Sequence, residues 1–207
     1  MKSITQGILV VILVLAASSG HARAGFYLRP VAQFSKLAGE YSDTNIAVGG
    51  GLALGAAFGR DHRFEVGAEV TNTRYNSYYN EPTAYQSWPV PLSLTPIAWT
   101  RVPATYNVTP ILVTFRYSFA TQNENVRPFL GVAAGLNLVK ISKSNLSDDG
   151  FSFTAGLGGG VSYRLGRMTM IEISYRYVTS DDAGDWYGMY HFKYNAHTVS
   201  IALDQRF

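Results

Sequence analysis

Polar and apolar residues alternate with period two through eight segments of this chain, approximately 26–36, 45–58, 64–75, 106–119, 127–139, 151–165, 168–178 and 195–207. Successive side chains of a strand point to opposite sides, so this period predicts strands whose two faces meet different media. In the second segment Ile46, Val48, Leu52, Leu54 and Phe58 interleave with Ala47, Gly49, Gly51, Ala53, Gly55 and Ala57. The sixth repeats the arrangement with Phe151, Phe153, Leu157, Val161, Tyr163 and Leu165. In the last, Val199, Ile201, Leu203 and Phe207 stand opposite Thr198, Ser200, Asp204 and Arg206. One face of each strand is bulky and apolar, and the other is small or polar.

The connections alternate too. Short turns at 59–63, 120–126 and 166–167 take turns with longer loops at 37–44, 76–105, 140–150 and 179–194. An even number of strands joined this way predicts an all-β fold, an eight-stranded antiparallel up-and-down transmembrane β-barrel with both termini on the periplasmic side. Charge identifies the inner face, because an Arg or Lys on the lipid face near the midplane costs about 2–4 kcal/mol. Arg29, Glu65, Glu69, Arg116, Arg127, Arg164, Glu172, Arg176, Asp204 and Arg206 all fall opposite the apolar set. Eight strands leave an interior just wide enough for side chains. These ten residues are therefore expected to fill the lumen as a network of ion pairs and hydrogen bonds rather than line a wide pore.

The first residues fit this compartment. Lys2 precedes an apolar run from Ile8 to Ala17, followed by Ala22-Arg23-Ala24, the pattern of a signal peptide cleaved before Gly25. Residues 1–24 are then a leader and 25–207 the barrel domain. The run is too short to span a bilayer, which takes roughly 20 apolar residues. Losing Lys2 and Arg23 and no acid lowers the formal charge from +3 to +1, so nucleic acid is not an expected partner. Charged residues make up 15% of the chain, below the roughly 25% of soluble domains, as expected if lipid covers part of the surface. The chain has no cysteine, which excludes disulfides, thiolate metal sites and a cysteine nucleophile. Pro30 falls inside a strand where its missing N–H interrupts the ladder, and a bulge is the expected remedy.

The phrase Arg127-Pro128-Phe129-Leu130-Gly131-Val132-Ala133-Ala134-Gly135, the Gly-rich sixth segment, Tyr175-Arg176-Tyr177 and the terminal Phe207 resemble the eight-stranded OmpA/OmpX and opacity-protein superfamily over the whole mature chain. In that superfamily a C-terminal aromatic after alternating apolar residues is read by the outer-membrane assembly machinery, which the resemblance implies for Phe207. Gln205 stands where that signal usually has a hydrophobic residue. The superfamily holds structural anchors, adhesins and a few lipid-modifying enzymes, so the resemblance implies architecture more than activity.

Candidate chemistry is sparse. The mature histidines His62, His191 and His197 lie far apart in the expected topology, and the best acid–base candidate is His191 with Asp181, Asp182 and Asp185 of the same loop, which could hold a cation or polarise a hydroxyl, or be a solvated loop. The stretch Tyr175 to Gly184 resembles the lipid A deacylase motif, but Thr179, Asp181 and Asp182 stand where His, Ser and Asn are required. Gly156-Leu157-Gly158-Gly159-Gly160 lies mid-strand and not at a helix start, so it reads as room for neighbours and not as a phosphate loop. Lys36, Arg74, Lys140 and Lys193 share the outward parity at the extracellular rim, suited to lipopolysaccharide phosphates or simply to snorkelling, with Lys36 and Lys193 presented together by strands one and eight. The 76–105 loop carries Tyr78, Tyr79, Tyr85, Trp88 and Trp99 among prolines, a surface fit for a host or other surface ligand, or a lid packed on itself. The expected function is an integral outer-membrane protein with a structural, envelope-stabilising or surface-interaction (adhesin-like) role, without catalytic residues, cofactor or metal. A narrow channel, a lipid-modifying enzyme and a soluble lipocalin-like binding barrel are the alternatives.

Overall fold

The computed structural model describes residues 25–38, 46–59, 63–83, 98–143, 146–184 and 191–207. They form β1 (Gly25–Leu37), β2 (Ala47–Phe58), β3 (Phe64–Thr83), β4 (Ala98–Ser118), β5 (Val126–Lys143), β6 (Leu146–Arg164), β7 (Thr169–Gly184) and β8 (His191–Arg206). Each strand pairs antiparallel with the next, and β1 pairs with β8 to close a barrel. Closure leaves no strand edge with unpaired backbone groups.

The faces are those the alternation predicts. Phe26, Leu28, Leu52, Leu130, Phe153, Ile173, Ile201 and Leu203 are exposed, whereas Arg29, Glu65, Glu69, Glu172 and Asp204 are buried. A soluble lipocalin-like barrel has the reverse arrangement, so that alternative is overturned. At the end bearing the C-terminus and the short turns, here the turn end, aromatic rings collar the outside. Phe58 stacks on Phe64 at 6.1 Å, Phe64 lies 5.0 Å from Tyr117, and Tyr117 lies 5.1 Å from Phe119. Gly59 supplies the φ of +82° that the β2–β3 turn needs.

At the opposite, hairpin end the strands run further than the alternation predicts. β3 and β4 keep pairing from Tyr75↔Tyr106 to Thr83↔Ala98, so much of the expected 76–105 loop is a two-stranded ribbon. Its remainder, with Tyr85, Trp88 and three of the prolines, lies outside the described residues. β5 and β6 pair as far as Lys143↔Leu146 in place of the expected 140–150 loop, and β7 and β8 as far as Gly184↔His191. The reason is that an apolar face ends where lipid ends, whereas ladder hydrogen bonds need only a partner strand.

Pro30 requires no bulge. Its pairing with β2 is unbroken, and on the β8 side the ladder skips Arg29 and Pro30 and resumes in the same register, Leu28↔Gln205 and then Val31↔Ala202. The register shift in the described barrel falls elsewhere, between Thr179 and Asp182 on β7.

The lumen is built in tiers, in which an apolar cluster joins the expected ion pairs and hydrogen bonds. Nearest the turn end lie the arginines and carboxylates. Above them is a belt of hydroxyls and amides, in which Gln33 donates to Thr73 at 2.6 Å and Ser35 bonds Thr198 at 2.7 Å. Above that, Leu37, Tyr75, Tyr106, Val108, Val139, Val178, Tyr194 and Ala196 pack into one buried apolar cluster. The Tyr75 and Tyr194 hydroxyls meet at 3.2 Å inside it.

Candidate functional site

In the ionic tier four guanidinium groups meet four carboxylates. Arg29 reaches Glu65 at 2.8 Å, Asp204 at 2.9 Å and Glu172 at 3.6 Å. Arg116 pairs with Glu172 at 2.6 Å and faces Glu65 at 3.7 Å, while its guanidinium sits 3.3 Å over the Phe129 ring. Arg206 pairs with Glu65 at 2.6 Å and Asp204 at 3.2 Å. One step nearer the hairpin end, Arg176 holds Glu69 by two parallel bonds of 2.7 and 2.8 Å. Charge is balanced within this tier, which is what allows it to be buried.

Room for it comes from missing side chains. Tyr27 lies across Gly55 and Gly67, where a Cβ would run into its hydroxyl, and its ring carries the Arg29 guanidinium at 4.5 Å. The glycine-rich stretch of β6 has the same use, since a Cβ at Gly158 would meet the Arg176 backbone and Cβ. Arg176 is thus held between the β6 backbone and Glu69.

Arg127 and Arg164 lie at the turn-end mouth of the lumen. They are the last inward positions of β5 and β6 and line the turn-end mouth with Arg63 and Glu124, around a cavity of about 340 Å³. Both are partly exposed, because a long side chain at a barrel mouth extends toward water instead of back into the lumen.

On the outer face, polarity changes at one height. Lys36, Arg74 and Lys140 are exposed, and each follows ten residues after an outward apolar residue of the turn end, Phe26, Phe64 and Leu130. Ten residues of strand span roughly 33 Å, or about 25 Å along the axis at a tilt near 40°, the height of the apolar band of a membrane barrel. The pairing register groups these cations. Arg74 lies opposite Asn107 and Asn107 opposite Lys140, with the exposed Asp149 next in the row. Lys36 lies opposite His197, and His197 opposite Tyr177. Lys193, expected beside Lys36, is four residues further along β8 and pairs with Asp182, so the expected Lys36–Lys193 juxtaposition is not formed. The sequence reading missed His197 in this row, and its signal was the ten-residue interval that separates it from Phe207.

His197 accepts or donates a 2.6 Å hydrogen bond through Nδ1 with the Tyr175 hydroxyl, stacks on that ring at 6.1 Å and tilts against Tyr177 at 5.1 Å. His62 and Asp185 lie outside the described residues, as do the side chains of His191 and Asp182. Among the described residues no three His, Cys, Asp or Glu side chains gather in a way that could hold a metal ion.

A charged lumen inside an apolar collar of eight closed strands suits a barrel set in a membrane, and the family model described as outer membrane protein beta-barrel domain matches residues 7–207. The chain belongs to this outer-membrane β-barrel family. Comparison with curated protein sequences finds no significant match. Among solved structures, Neisserial surface protein A is 20% identical with a TM-score of 0.52, covering 88% of this chain and 97% of its own. Ail, the attachment invasion locus protein of Yersinia pestis, solved with the heparin analogue sucrose octasulfate, is 15% identical with a TM-score of 0.49, covering 90% and 99%. Outer membrane protein W of Escherichia coli is 14% identical with a TM-score of 0.45, covering 90% and 100%. At 20% identity the likeness to Neisserial surface protein A is one of fold. This outer-membrane barrel therefore has to be read from its own residues.

Proposed function

We propose that this protein is a sealed surface barrel that reinforces the outer membrane and presents its β3–β4 ribbon to the outside, rather than a channel or an enzyme. The observation that carries this reading is the stacking of the apolar cluster, which includes Tyr75 and Tyr194, over a charge-balanced ionic tier. A solute path would have to cross both. In this reading residues 1–24 are removed on export, the turn end with the terminal Phe207 faces the periplasm, where the last strand engages the assembly machinery, and the hairpins face the medium. Lys36, Arg74, Lys140 and Lys193 then lie toward the outer leaflet, where lipopolysaccharide presents phosphates.

Conductance in planar bilayers tests the sealed lumen: no unitary steps are expected, and steady steps at low voltage sink the reading. A second role, surface binding, is favoured by the ribbon, which continues past Tyr75↔Tyr106 for eight further residues on each strand. Removing 78–101 should abolish attachment to host cells or matrix while the barrel still shifts on heating in a detergent gel. Retained attachment rules the ribbon out.

A further inference from the structure

Among the rim positions, one cluster is more than a lone cation. Lys36, His197 and Tyr177 stand side by side on β1, β8 and β7, all three exposed, with Tyr175 one outward step below and bonded to His197. They sit at the boundary of the apolar band. Toward the turn end on β8 come Val199, Ile201 and Leu203, all exposed, and toward the hairpin end comes Asn195, whose Oδ1 accepts from Thr179 at 2.7 Å.

The Tyr175 contact occupies Nδ1 and leaves Nε2 as the ring nitrogen open to a ligand. With the phenol O–H donating to Nδ1, the neutral ring carries its proton on Nε2, an N–H donor beside the Lys36 ammonium. Two ring contacts, at 6.1 and 5.1 Å, fix the plane in which that donor lies. A fixed N–H, a mobile ammonium and a flanking phenol at a lipid–water boundary suit a doubly charged oxyanion. The row on the opposite wall differs, because Lys140 has Asp149 across from it as a counter-charge, whereas no described acid shares the Lys36–His197–Tyr177 row.

We propose that His197 and Lys36, oriented and flanked by Tyr175 and Tyr177, form a binding site for a phosphate of an outer-leaflet glycolipid. This rests on the orientation proposed above and names the particular rim position at which lipid is held. The test is titration of bisphosphorylated lipid A, and separately of its dephosphorylated form and of phosphatidylglycerol, into the full barrel in zwitterionic nanodiscs. His197→Phe keeps the ring between the two tyrosines and removes both nitrogens. It should weaken binding of the bisphosphorylated form about tenfold and leave the dephosphorylated form unchanged. Tyr175→Phe should lose a smaller factor, since the tautomer is no longer fixed. A heat-shift gel checks that each variant is still a closed barrel. If His197→Phe binds like the parent while the parent still prefers phosphorylated lipid A, this site is overturned and the wider rim reading stands. If the parent binds both lipid A forms alike, the rim reading fails and takes this site with it. Equal binding of phosphatidylglycerol overturns the glycolipid assignment.

Discussion

The two ends of the lumen solve one packing problem by opposite means. Near the turn end, Arg29, Arg116, Arg206 and their carboxylates fill the barrel with charge that is stable only as a complete set. Near the hairpin end, Tyr75, Val108, Val139, Tyr194 and their neighbours fill the same cross-section with apolar surface, where each side chain contributes separately. Dispersion and burial degrade in proportion to what is removed, whereas a buried ion network fails when one partner leaves the other uncompensated. The difference teaches that the two tiers should respond unlike each other to single and paired substitutions.

The largest effect should come from Glu65→Ala, which strips partners from Arg29 and Arg206 at once and should cost about 5 kcal/mol. Urea unfolding in lipid vesicles would read it as a barrel that no longer resists denaturant, and a loss under 1 kcal/mol would break the contrast between the tiers. Next, Tyr75→Ala should cost about 3 kcal/mol by leaving a cavity in the apolar cluster, measured the same way. The doubly bonded Arg176–Glu69 pair sharpens the comparison. Either single replacement should destabilise by about 3 kcal/mol, yet Glu69→Leu with Arg176→Met should return to within about 1 kcal/mol of the parent, giving a large coupling in a double-mutant cycle. Tyr75→Phe keeps the ring and removes the hydroxyl, with its 3.2 Å contact to Tyr194, and should cost about 1 kcal/mol. Arg164→Gln at the open mouth should change stability by no more than about 0.5 kcal/mol, and a larger loss would return that residue to the network.

The faces were legible in the sequence because period two is forced wherever lipid lies on one side. Heights were not. Parity puts Arg127 and Arg164 on the same face as Arg116, but the height at which an inward arginine stands in the lumen depends on the pairing register, which the β1–β8 closure sets across the whole chain. The same gap hid the apolar cluster. Tyr75, Tyr106 and Tyr194 have the inward parity, yet they sit at or just beyond the expected strand ends, where aromatic residues read as loop or interface. The ribbon was missed because Asn76, Ser77, Tyr78 and Tyr79 show no apolar alternation outside lipid, although their ladder continues. For the outer rim, the residue types of Lys36, Arg74 and Lys140 sufficed to place them, while the partnership of Lys36 with His197 needed the register.

Arg29 on β1 takes its 2.9 Å partner from Asp204 on β8, and Glu65 on β3 takes a 2.6 Å partner from Arg206 on β8. The final strand therefore acts as a keystone. A chain whose first seven strands have formed a sheet can pair Arg29 with Glu65 but leaves each of them one partner short, and water has to stand in for Asp204 and Arg206 until β8 arrives. Sealing the wall and drying the interior are then one event, so a half-assembled intermediate is held wet and distinguishable from the finished cylinder until its last residues dock.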